Sequence, residues 1–190
     1  MKRTVVSLLA LAIIAGTATV ASAVPPILRP GTKPMWAGAG LGPVIKAKDL
    51  PTQFMLQQTF GYHFSGTATG PAIAIDLREG FGDDFITFQI MPRFVWDIQL
   101  IDGVGFYLSP SAGLAYLLVA NGETAHGFTF NAAIEGKLVL GDFGYVFLRP
   151  FGLNIGYAEI CIDLGPLGSR CEGDSYVRLE MMMIGGGITF

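Results

Sequence analysis

The chain has 190 residues, with 12 Lys and Arg against 15 Asp and Glu, and 51% of it is hydrophobic while only 14% is charged. That length suits one domain, and an acidic balance without clustered Lys and Arg excludes a nucleic-acid surface. Mean hydropathy is +0.51, yet beyond residue 23 no apolar stretch is long enough for a membrane helix, so the apolar residues must be organised in another way.

Met1-Lys2-Arg3 makes a short basic start, Val5 to Gly16 is apolar apart from Ser7, and Ala21-Ser22-Ala23 offers a small-x-small exit. Residues 1–23 therefore read as a secretory signal peptide, cut before Val24. Its removal takes away Lys2 and Arg3 and leaves ten basic against fifteen acidic residues. Residues 24–34 follow as a short tail, held extended by Pro25, Pro26 and Pro30.

From residue 35 the apolar residues alternate. A first strand over 35–46 is blurred by Gly38, Gly40 and Gly42. Over 53–66, Phe54, Leu56, Phe60, Tyr62 and Phe64 share one parity, while Gln53, Gln57, Thr59, His63 and Ser65 share the other. Over 70–79, Ile73, Ile75 and Leu77 alternate with Asp76 and Arg78; over 85–101 the even positions run apolar from Ile86 to Leu100, against Thr87, Gln89, Arg93, Asp97 and Gln99. A period of two is the strand signal. It continues through strands expected at 104–119, 127–140, 145–158 and 176–190. Parity switches between Leu148 and Phe151, so a bulge is expected at Arg149-Pro150, turning Arg149 inward.

The links alternate too. Tight turns are expected at 66–70, at Asp102-Gly103 and at 141–144, whereas 47–52, 79–84, 120–126 and 159–175 read as longer polar or acidic links. Such alternation describes an up-and-down antiparallel meander.

The alternation fits a soluble barrel with its apolar face inside, or a membrane barrel with that face on lipid. Large residues crowd one face, while the other carries little charge and much Gly, Ala, Ser and Thr, which suits a narrow interior. Aromatics toward strand ends (Trp36, Tyr62, Trp96, Phe106, Tyr116, Phe128, Tyr145, Tyr157) suit the girdles of a membrane barrel. A closed barrel can span a bilayer without a helix because closure satisfies its backbone groups. We therefore expect an all-β fold: one eight-stranded antiparallel up-and-down transmembrane β-barrel over 35–190.

The last strand carries Met182, Ile184, Ile188 and Phe190 on one parity, with Gly186 between them. A terminal aromatic after alternating apolar positions resembles the assembly signal of outer-membrane barrels. Signal peptide, eight strands, tight turns and terminal Phe together resemble the small eight-stranded outer-membrane barrels: the OmpA membrane domain, OmpX-type proteins and opacity porins. The resemblance implies a location in the outer membrane after passage through the periplasm, with the tail in the periplasm. It implies contact with lipid and lipopolysaccharide, recognition by the barrel assembly machinery, and a structural or surface-interaction role as a monomer.

The inward charged groups are expected to be Asp76, Arg78, Arg93, Asp97, Glu135, Lys137 and Arg149. A lumen of eight strands is filled by side chains, and charges in a dry interior must be paired, so an ion-pair plug is preferred to a gated ion pathway. His63 and Ser65 resemble locally the His and Ser of outer-membrane lipid A deacylases. With no acidic partner in view they read better as lumen filler, leaving an envelope-lipid enzyme, or a narrow channel for small or apolar solutes, as alternatives. No cofactor or metal site is expected; neither His63 nor His126 is near the cysteines in sequence. Cys161 and Cys171 read as a disulfide in an exported chain, a clip across the 159–175 loop contributing about 2–3 kcal/mol, with that loop offered to a surface ligand. The Met181–Met183 run is expected to pack on lipid and lumen.

Overall fold

Strands with one apolar and one small polar face, joined in sequence by short turns, can bury their polar face only by curling shut. The computed structural model describes residues 24–48, 52–83, 85–121, 123–163 and 169–190, the backbone alone at 121, 123–124, 160–163 and 169–171. The expected signal peptide at 1–23 lies outside the described residues. Eight strands follow in order: β1 (Met35–Lys48), β2 (Gln53–His63), β3 (Gly70–Phe81), β4 (Ile86–Gln99), β5 (Phe106–Asn121), β6 (Glu123–Leu140), β7 (Gly144–Asp163) and β8 (Ser169–Thr189). Each pairs antiparallel with its chain neighbour, and β1 pairs with β8, so the sheet is a closed up-and-down barrel. Phe190 exchanges backbone hydrogen bonds with Met35 in both directions, at 2.9 and 3.1 Å, sealing the seam.

The exterior is apolar on every strand. Phe54, Ile75, Phe94, Leu114, Phe128 and Ile155 are all exposed, and the polar parity of each strand is buried. Of the eight aromatics expected in girdles, six face outward. Trp36 and Tyr145 instead point into the lumen, at 4% and 5% exposure. The glycines that blur β1 face inward and make room for such rings: a Cβ on Gly40 would stand 2.6 Å from the Phe147 ring.

The expected bulge is present. Ile134 pairs with Phe151 and Gly136 with Leu148, so Arg149 and Pro150 together oppose Glu135, and Arg149 is fully buried. A second bulge lies beside it. Between Leu41–Ile184 and Val44–Glu180, β8 carries one residue more than β1, and Met182 takes a left-handed φ of 52°. Pro150 falls between Arg149–Met183 and Phe151–Met181, so it stands opposite Met182. The two bulges sit side by side, keeping β7 and β8 in phase with each other while switching the facing of both.

Strand lengths differ from expectation at the open end. The links at 120–126 and 159–175 are mostly ladder: Asn121 pairs with Glu123, and pairing of β7 with β8 continues out to Asp163 and Ser169. The physical reason is that backbone pairing needs no apolar face, so a ladder that rises beyond the apolar belt loses its alternation but keeps its hydrogen bonds. The hairpin turn of β4–β5 is centred on Asp102-Gly103, with Gly103 at φ 74° and the Val104 amide bonded to the Ile101 carbonyl at 3.1 Å.

Candidate functional site

Among the described residues, buried charge is concentrated in the lumen. Period-two facing directs Asp76 and Arg78 inward from β3, Arg93 and Asp97 from β4, Glu135 and Lys137 from β6, and the β7 bulge adds Arg149; all seven are buried. The seven charged residues expected in the lumen are thus inside the barrel.

Six groups close into a ring of alternating charge. Arg149 pairs with Glu135 and with Glu180, both at 2.5 Å; Glu180 pairs with Arg78 at 2.6 Å; Arg78 pairs with Asp76 at 3.3 Å. Arg93 completes the circuit, 2.9 Å from Asp76 and 2.7 Å from Glu135. Asn131 and Asn154 donate to Glu180 at 3.0 Å, and the Gln57 carbonyl oxygen accepts from Arg149 at 3.1 Å. The ring draws together β3, β4, β6, β7 and β8 across the lumen.

Nearer the tight turns lies a second node on Asp97. It pairs with Lys137, accepts from the Ser109 hydroxyl at 2.5 Å, and lies 2.7 Å from His63 Nε2. The Lys137 ammonium sits over the rings of Trp36 and Tyr145, at 4.8 and 5.5 Å, and Trp36 stacks at a tilt on His63. A desolvated cation over aromatic faces gains from the ring quadrupoles, which accounts for the two inward aromatics. His63 therefore has an acidic neighbour after all, but Ser65 does not share its face. Ser65 is exposed in the β2–β3 turn, its hydroxyl bonded to the Thr67 carbonyl at 3.2 Å and to Thr69. The chain bends into that turn at Phe64, which ends the parity that would have kept the two side chains together.

Both Arg178 and Glu180 are fully buried in the lumen, and alternation from the chain end misses both. Counting back from Phe190 puts them on the outward parity; the Met182 bulge turns them inward. The signal was available: an Arg and a Glu on an otherwise apolar parity mark a switch of facing just as Pro150 does on β7.

The tail closes the tight-turn end. It is expected to run extended, but Pro26–Leu28 forms a 3-10 turn, and the segment crosses the turns and bonds to them. The Gly105 amide donates to the Leu28 carbonyl at 2.7 Å and the Ala68 amide to the Gly31 carbonyl at 3.3 Å. Asp142 accepts from the Thr32 amide at 2.7 Å and from its hydroxyl at 3.0 Å, and Lys33 donates to the Asp142 carbonyl at 3.0 Å. Those bonds from Thr32 hold the Asp142 carboxyl below the usual carboxylate range. Gly31 is buried where the tail meets the turns; a Cβ there would stand 2.7 Å from the Gly141 carbonyl oxygen.

Among the described residues, no group of His, Cys, Asp and Glu is arranged to hold a metal ion. Cys161 and Cys171 are directly opposed partners in the β7–β8 ladder, so they belong to paired strands and not to a loose loop; their side chains lie outside the described residues. Met183 is buried, Met182 is exposed and Met181 is intermediate. Met182, Ile184, Ile188 and Phe190 all face outward.

No protein-family model matches the chain, and no curated protein matches it. Among solved structures, it is similar to Neisserial surface protein A, with a TM-score of 0.53 and 13% identity over 82% of this chain and 96% of that one. At that identity the likeness is one of fold, and the fold is what it bears out: this chain is a closed, eight-stranded, antiparallel up-and-down β-barrel.

Proposed function

We propose that the protein is an outer-membrane barrel with a structural or surface-interaction role, tight turns and tail in the periplasm and the long hairpins outside the cell. The observation that carries this reading is the inversion of the barrel: large apolar side chains cover its outside while ion pairs fill its inside. In water such an exterior would aggregate; in lipid it is the favourable surface. The outward row Met182, Ile184, Ile188 and Phe190 on the closing strand supports recognition by the barrel assembly machinery, and the apolar belt supports contact with lipid and lipopolysaccharide. The β7–β8 hairpin, longest of the eight strands' extensions, is the natural element for a surface ligand. Opposed positions in an antiparallel pair bring Cα atoms to about 4.5–5.5 Å, within disulfide reach, which supports a Cys161–Cys171 bond across its arms.

The role is non-catalytic in this reading. The separation of His63 from Ser65 removes the local likeness to a lipid deacylase, and lipid A mass spectra with and without the protein are expected to be the same. The membrane assignment is tested on a detergent gel: unboiled protein should migrate differently from boiled protein, and a chain that purifies in water without detergent would refute it.

A further inference from the structure

Gln58 breaks the apolar run on the outside of β2. The outward residues of that strand are Phe54, Leu56, Gln58, Phe60 and Tyr62, and Gln58 is the sixth of its eleven residues. It is exposed halfway along the strand, between its register partners Ala39 on β1 and Leu77 on β3, which also face outward. No hydrogen bond reaches its amide among the described residues. Glu79 stands diagonally across from it, as the register partner of Leu56, and does not bond to it.

Beside it the outer wall leaves room. A groove of about 420 Å³ is walled by Leu41, Leu56, Val146 and Ile184 over a floor at Ala39 and Gly185. Gly186, the register partner of Ala39 on β8, has no side chain to fill it. Across β8, β1 and β2 the outward row therefore reads Gly186, Ala39, Gln58: open space next to an unspent amide.

A carboxamide held in hydrocarbon without a partner is costly, and acyl chains carry neither donor nor acceptor. Phospholipid headgroups stand at the two faces of the bilayer, away from mid-strand. If the apolar exterior faces lipid, the reading on which this inference rests, the partner of Gln58 is another protein surface. An amide has one acceptor oxygen and two N–H donors, so it is complementary to its own copy. Two chains inserted in the same direction are related by a two-fold axis along the bilayer normal, which brings a residue to its copy at one depth. We propose that two copies of this chain pair in the membrane about Gln58, their amides exchanging two hydrogen bonds. The same rotation sets what lies on one side of Gln58 against what lies on the other. Exposed Ile75 and Leu77 on β3 of each copy thus face the groove of its partner. The small side chains on that floor let the two backbones approach, as they do between membrane helices. Such a pair departs from the monomer that the resemblance to small outer-membrane barrels implies.

The test uses the whole protein in a density-matched detergent, with association measured by sedimentation equilibrium over a range of protein-to-detergent ratios. A monomer–dimer equilibrium is expected. Gln58→Leu should keep the heat-modifiable gel band and weaken the dimer by about tenfold, the loss of two amide hydrogen bonds. Ala39→Phe, which fills the groove, should weaken it without touching the amide, and serves alone if Gln58→Leu does not fold. In phosphatidylcholine vesicles, Gln58→Cys in a protein carrying Cys161→Ser and Cys171→Ser should give a disulfide-linked dimer on oxidation. Phe130→Cys, on the far wall in β6, should not. The gel band keeps two failures apart: a heat-modifiable chain that never dimerises sinks the pairing and leaves the membrane reading standing. A monomer at every ratio, a dimer as strong in Gln58→Leu, or cross-linking no better at 58 than at 130 would each overturn the proposal. So would a structure with the Gln58 amide bonded to Glu79 of its own chain or to a lipid headgroup.

Discussion

At the residue scale, position in the lumen decides what a charge is worth. Arg149 holds Glu135 and Glu180 together with no exposure to solvent, so Arg149→Met leaves both carboxylates with one guanidinium fewer. Breaking a buried pair from one side costs about 3–5 kcal/mol, and the denaturant midpoint of the folded gel band should fall accordingly; an unchanged midpoint would mean the ring is wet and weak. By contrast, Lys48 and Asp174 lie 3.9 Å apart with side chains 55% and 75% exposed, and Lys48→Ala should cost under about 1 kcal/mol. Seven of the buried charges were legible in the sequence because period-two alternation forces them inward. Arg178 and Glu180 were missed by counting back from the chain end, although two charges on an otherwise apolar parity mark the switch of facing that the Met182 bulge makes. What no residue pattern conveys is the circuit itself: which acid meets which base depends on side chains reaching across the lumen between strands as distant in sequence as β3 and β8.

At the element scale, the paired bulges and the tail depend on register. Pro150 and Met182 stand opposite each other, each adding the residue that turns its strand over. Deleting Pro150 alone would put β7 out of step with its neighbours, moving Phe151, Leu153, Ile155 and Tyr157 onto the lumen face. That variant should give no folded gel band; one appearing at ordinary yield would show that the bulge is dispensable. The tail makes a gentler prediction. Thr32 lowers the Asp142 pKa in the folded state, so the contact is fully present above the ordinary carboxylate value of about 3.9. It is lost as pH falls from there through the depressed folded value. Protection of the Thr32 amide, its exchange rate taken relative to that of an unfolded chain at the same pH, should fall over that acidic window and stay flat from pH 5 upward, and Asp142→Asn should abolish the dependence. The tail was legible as a Pro-rich lead-in, but its docking was not, because its partners are backbone groups of three turns far away in sequence.

At the scale of the whole molecule, two closures stand in series along one axis. The tail crosses the tight-turn end, bonded through Leu28, Gly31 and Thr32 to the turns after β4, β2 and β6, while the charge ring spans the middle from β3 to β8. The ring is the stronger barrier, because an ion must separate pairs whose partners are already desolvated, whereas the tail is held by a handful of hydrogen bonds at an exposed rim. A planar bilayer holding the intact protein should therefore show no steady conductance. Removing residues 24–33 should leave it silent, since the ring remains. Stepwise conductance on removing the tail alone would assign the closure to the tail and mean that water threads the ring. Silence in both keeps the interior structural, with any binding left to the hairpins at the other end.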